Sequence, residues 1–104
     1  MGMAAHPKLN LVRDRKYLDW LRTQPCLIEG TRNPTVEAAH ISTAGKGIKS
    51  GDDETIPLSH EHHAKAHSLG EVRYLFDHLP LSILRTMLKM YAKEIYRTWK
   101  HETN

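Results

Sequence analysis

The sequence predicts an α+β domain, on three observations. Two short apolar runs, Cys26–Glu29 and Thr35–Ile41, have strand character with turn residues between them. A histidine-dense segment, His60–His67, follows a good helix N-cap residue, Ser59. A long amphipathic run after Pro80 closes the chain. At 104 residues the chain is of ordinary size for one domain and can bury a modest core without staples, so residues 1–104 are read as a single domain.

Residues 1–12 carry Pro7 and little periodicity and are expected to form a loose arm. From Asp14 the pattern turns helical: Tyr17, Leu18, Trp20 and Leu21 make an apolar face, with Arg13, Arg15, Lys16 and Arg22 outside it. Pro25 ends this helix, because the residue before a proline avoids the helical region. Cys26–Glu29 and Thr35–Ile41 are then expected to pair as a β-hairpin, with His40 near the end of the second strand. The stretch Ser42–Glu54, with Gly45, Gly47, Gly51 and Asp52-Asp53, reads as a flexible surface loop. Thr55–Leu58 is short and extended. A helix from His60 to His67 follows, ending near Gly70, and Glu71–Phe76 can add a further turn or two. Pro80 opens the longest helix, about 81–100, in which Leu84, Leu88, Tyr91, Ile95 and Trp99 form one stripe, expected to face a core or another subunit. Exposure of that stripe would imply a homodimer. Lys89, Lys93 and Arg97 lie on the other side, as a solvated basic face or a contact to a nucleic-acid backbone.

Composition narrows the function classes. Fifteen basic against twelve acidic residues give a net charge of +3, and the pI of about 9.1 fits a nucleic-acid partner without requiring one. A mean hydropathy of −0.57 predicts no bilayer-spanning segment and no membrane partner. The single cysteine, Cys26, excludes an intrachain disulfide and a four-cysteine zinc knuckle. With no secretory apolar stretch at the start of the chain, a reducing, cytoplasmic setting is expected.

Five of the eight histidines fall between positions 40 and 67. Imidazole can bind a divalent metal or take a proton near neutral pH. His63 and His67, four apart on a helix, present both rings to one ion. A strand-borne His40 facing them would hold a water between base and metal. Such an arrangement suits phosphodiester hydrolysis, which needs an activated water and a cation on the scissile phosphate.

The order of motifs resembles the HNH, or ββα-metal, nuclease superfamily, and is similar in particular to small HNH-like proteins of phages and prophages. The resemblance rests on Tyr17–Cys26 (Tyr-Leu-x-Trp-Leu-Arg-x-x-Pro-Cys), Ala39-His40, Asp52-Asp53, and Pro57-Leu58 leading into His63-x-x-x-His67, followed by Gly70-Glu71, and covers roughly residues 13–75. It implies a ββα-metal core over residues 26–67, flanked by an N-terminal helix and the long C-terminal helix. It also implies a metal-dependent DNA endonuclease with a role in phage or prophage biology, recombination included. On this resemblance His40 is the general base, and His63 and His67 are ligands of a divalent ion (Mg, Mn, Ni or Zn). Asp53, with Asp52 as the alternative, stands near the residue that braces the base-bearing loop.

Other residues carry more open roles. Lys46, Lys49 and Lys65 are candidate phosphate contacts, and a lysine with no fixed partner is the competing account. Glu71, four residues beyond His67, either supports that ring's second nitrogen or charges a helix end. Two departures from the family pattern matter. Ala39 stands where many members place another ligand, and Glu29, Ser59 and His62 stand with Cys26 where many members have two cysteine pairs on a structural zinc. His62 and Cys26 thus read as remnants of a zinc knuckle, with no structural zinc expected, and His60 as a surface residue. The alternatives are a non-catalytic nucleic-acid-binding or recombination accessory module and, last, a structural zinc protein using Cys26, His62, His63 and His67.

Overall fold

The computed structural model describes residues 11–41 and 50–103. The elements are α1 (Arg15–Leu21), β1 (Val36–His40), β2 (Thr55–Ser59), α2 (His60–Leu69), α3 (Glu71–His78) and α4 (Leu81–Thr103). Among the described residues this is an α+β architecture with four helices and one two-stranded antiparallel sheet. α1 is started by Asp14, whose carboxylate accepts from the Tyr17 N–H at 3.1 Å, satisfying one of the donors that a helix start leaves unpaired.

The expected partner of β1 is corrected. β1 pairs with β2, in the register Val36↔Ser59, Glu37↔Leu58, Ala38↔Pro57, Ala39↔Ile56 and His40↔Thr55. Cys26–Glu29 instead curls into a turn, closed by Gly30 N–H to Cys26 C=O at 2.7 Å and Cys26 N–H to Thr31 C=O at 2.9 Å. Gly30 adopts φ +73° there, a conformation that costs glycine little. The extended character of Cys26 and Leu27 is used on the far edge of β2. Leu27 N–H donates to Pro57 C=O at 2.8 Å and Ser59 N–H donates to the Cys26 Sγ at 3.4 Å. Antiparallel pairing sends the backbone groups of alternate residues outward, so Pro57, which has no N–H, sits where no ladder bond is lost.

The core is small: Cys26, Val36, Ala39, Leu58 and Leu75 are buried together, with Ile28, Ile41, Ile56 and Leu79 packed around them. The loop before β2 is only partly the surface loop expected. Residues 42–49 lie outside the described residues, but Gly51 and Asp52 are buried, and Asp52 N–H donates to Val12 C=O at 2.8 Å. A Cβ on Gly51 would stand 3.1 Å from the Val12 backbone nitrogen, so a residue without a side chain lets these two segments run together. At the other end of α2, Gly70 takes φ +103° and turns the chain into α3.

α4 departs from expectation most. It extends to Thr103 and contributes no buried residue, and its stripe does not face a core: Leu88 and Tyr91 are 71% and 67% exposed. The radius of gyration is 16.1 Å, against about 13 Å for a compact chain of this length. Among the described residues no helix is long and apolar enough to cross a membrane.

Candidate functional site

β1 and α2 meet at a carboxylate. Glu37 stands on β1 opposite Leu58, and α2 begins one residue after Ser59, so its first turns lie beside Glu37. One oxygen of Glu37 is 2.7 Å from His63 Nδ1 and the other is 2.8 Å from His60 Nδ1. These bonds hold the Glu37 carboxyl below its usual range, the bond to His60 first and that to His63 second. An ionised carboxylate only accepts, so Nδ1 carries the proton in both rings. In the neutral rings Nε2 is then the nitrogen with a lone pair to offer. His67, exposed one turn further on, joins Glu37, His60, His63 and Ala64 in lining an open recess of about 400 Å³.

His40 is fixed in the same manner elsewhere. Its Nε2 lies 2.8 Å from Asp52 Oδ1, and Asp52 Oδ2 accepts from the Asp14 N–H at 2.7 Å. The Asp52 side chain is 8% exposed, with the Arg13 guanidinium 3.5 Å away. The Asp52 carboxyl lies below its usual range because of the bond to His40, then the Asp14 N–H, then the Arg13 charge. By the same reasoning the His40 proton sits on Nε2, and Nδ1 is the basic nitrogen. Strand alternation sends His40 to the opposite face of the ribbon from Glu37, and His40 does not line the recess of the helix histidines.

Of the acidic pair before β2, it is therefore Asp52 that braces His40, while Asp53 is exposed and its carboxylate lies over Gly51. Ala39 points into the core at 2% exposure, so this departure from the ligand pattern of the resembled family is an apolar packing position. Lys65 is paired with Glu61 at 3.1 Å. It lies two residues from both His63 and His67, on the other side of α2. Lys46 and Lys49 lie outside the described residues. Glu71 shares a second recess with His67, lined also by Gly70, Val72 and Arg73.

The four positions compared with a zinc knuckle do converge, through hydrogen bonds. Ser59 reaches Cys26 through its N–H and Glu29 through its hydroxyl, at 3.4 Å each. His62 spans Glu29, at 3.2 Å from Nε2, and the Tyr74 hydroxyl, at 2.8 Å from Nδ1. Both ring nitrogens of His62 are thereby engaged. No group of three or more His, Cys, Asp or Glu that could hold a metal ion occurs among the described residues.

Sequence reasoning missed Glu37 and the part played by His60. The signal was present: a glutamate on a short strand whose partner strand runs directly into a helix opening His-x-x-His. It missed Arg13 as well, and nothing in the local pattern marks that residue.

The matching family is one described as a protein of unknown function (DUF968), over residues 2–74. The chain belongs to the DUF968 family. The match takes in α1, both strands and α2 and ends inside α3, so that α4 lies beyond it. No curated protein and no solved structure matches the chain.

Proposed function

We propose that this protein is a metal-dependent DNA endonuclease, hydrolysing phosphodiester bonds, with β1, β2 and α2 as a ββα-metal unit of HNH type. One observation carries the reading: the ribbon and the helix that follows it present His40 and His63 with one ring nitrogen pinned by a carboxylate and the other left over for chemistry. Carboxylate–imidazole pairing fixes tautomer and orientation both in general bases and in metal ligands.

The donor set suits a divalent ion that keeps open positions: His63 and His67 would hold it, with Glu37 behind His63. When bound, the ion supplies positive charge to the scissile phosphate and lowers the pKa of a water. The chain's own residues do the remaining work. His40, oriented by its Nε2 bond to Asp52, is the candidate base at Nδ1. Bound DNA must bring the scissile phosphate to both His40 and the helix histidines, which lie on opposite faces of the ribbon. Arg13, beside that pair, offers a cation to a DNA phosphate, and Lys46, Lys49 and Lys65 remain candidates for further backbone contacts. A cytoplasmic setting accords with the buried free thiol of Cys26.

The test is incubation of the purified protein with supercoiled, linear and branched DNA and magnesium, manganese, nickel or zinc. Cleavage by the wild type, abolished in His40→Ala with metal binding intact, is the expected outcome. DNA left whole with every metal overturns the reading. One observation favours a second reading, a non-catalytic nucleic-acid-binding or recombination accessory: buried Ala39 adds no donor to the helix histidines. Metal-independent DNA affinity without cleavage would select it.

A further inference from the structure

We propose that α4 is a self-association helix, through which two copies of this chain pair along the stripe Leu81, Leu84, Leu88, Tyr91, Ile95 and Trp99. The proposal stands apart from the nuclease reading. Leu81, Leu88, Tyr91, Ile95 and Trp99 are 75%, 71%, 67%, 56% and 53% exposed. An isolated helix is marginal in water and is ordinarily held by burying its apolar face. α4 buries no residue in its own chain, and its principal anchors there are its first turns, where Ile83 lines an apolar recess with Trp20, Leu21 and Pro80.

Area identifies the occupant. Twenty-three residues make a rod of about 35 Å. An aromatic side chain carries about 150–250 Å² of surface, so residues exposed to this degree offer roughly 100 Å² each. With Met87 and Tyr96 at the margins, the stripe offers on the order of 600 Å² per chain, and two stripes face to face bury about 1,200 Å², where specific interfaces begin. A second copy matches the stripe in length and apolar character, and a two-fold pairing makes the same patch serve both sides. Lys89, Lys93 and Arg97 point away from the stripe, so pairing leaves these cations in water.

The experiment is sedimentation equilibrium of the full chain across the micromolar range, with circular dichroism on the same samples. The wild type should have the mass of two chains, Leu88→Glu that of one, and Lys93→Glu again two. Should Leu88→Glu fail to fold, Tyr91→Cys decides. Tyr91 lies at the middle of the stripe, so pairing in either direction brings it to its own copy. Mild oxidation should then give a covalent dimer that Lys93→Cys does not. A wild type of single-chain mass overturns the proposal, whether or not it co-sediments with phosphatidylserine vesicles or duplex DNA, either of which would name a different occupant. Failure of Tyr91→Cys to cross-link overturns it too.

Discussion

Replacing Glu37 by glutamine tests whether one carboxylate organises the helix histidines. Its two oxygens accept from Nδ1 of His63 at 2.7 Å and of His60 at 2.8 Å. An amide keeps one accepting oxygen and puts an NH₂ where the other stood, so one imidazole meets a donor and must move its proton to Nε2 or swing away. Where a carboxylate supports a metal-bound histidine in this manner, its loss typically costs 10–100-fold in metal affinity. Glu37→Gln retains one of the two bonds, so about 10-fold is expected, and Glu37→Ala, which retains neither, should approach 100-fold. Titration calorimetry with zinc and with nickel measures the change, with Glu61→Gln, whose partner is Lys65 on the other side of α2, as the control. Unchanged or tighter metal binding in Glu37→Gln would refute the reasoning, because the pairing would then compete with the metal rather than prepare for it.

Two further outcomes follow from the packing and the charges. Because the Asp52 carboxyl is held below its ordinary 3.8 by His40, the Asp14 N–H and Arg13, its contribution to stability is present above that value and lost as pH falls through the lowered one. Thermal melts of Asp52→Asn should therefore lose less stability than wild type on acidification below about pH 5; equal acid sensitivity would mean that Asp52 carries no such linkage. Leu58 is 1% exposed, at the centre of a small core, and Leu58→Ala should cost about 2–5 kcal/mol. At about 4–8 °C per kcal/mol for a domain near this size, a loss in Tm under 5 °C would show the core to be less shared than the packing indicates.

Where local chemistry decides the outcome, the chain is readable from its residues. Asp14 caps α1, Gly70 ends α2, and Pro80 precedes α4, each as its side chain or backbone freedom requires. Pairing is a different matter. Cys26-Leu27-Ile28-Glu29 and Thr55-Ile56-Pro57-Leu58 both have strand character, and which of them lies beside β1 depends on turn closure at Gly30 and on Pro57 needing an outward position. The first is closed by local bonds, but the second is set by a contact thirty residues away in sequence, Leu27 with Pro57. The histidines divide likewise. The i, i+4 spacing of His63 and His67 on one helix face is visible directly, whereas Glu37 reaches His60 and His63 only because β2 runs into α2 with no intervening residue. The same limit applies to α4, since periodicity marks its apolar stripe without saying whether its own chain covers it.

The covering of β2 by Cys26 and Leu27 has a consequence for how copies of this protein meet. A two-stranded ribbon ordinarily offers a row of unpaired amides and carbonyls on each side, the template on which strands from other molecules add. Along β2 that template is blanked out: Pro57 has no hydrogen to give, its carbonyl is taken by Leu27, and the Ser59 N–H is directed at a sulfur. Cys26→Ala takes only the sulfur from this cover and leaves the Leu27–Pro57 bond, so a single amide, that of Ser59, returns to the edge and light scattering should rise little with concentration. The backbone of Leu27 and the ring of Pro57, more than the thiol, close this side of the ribbon to added strands.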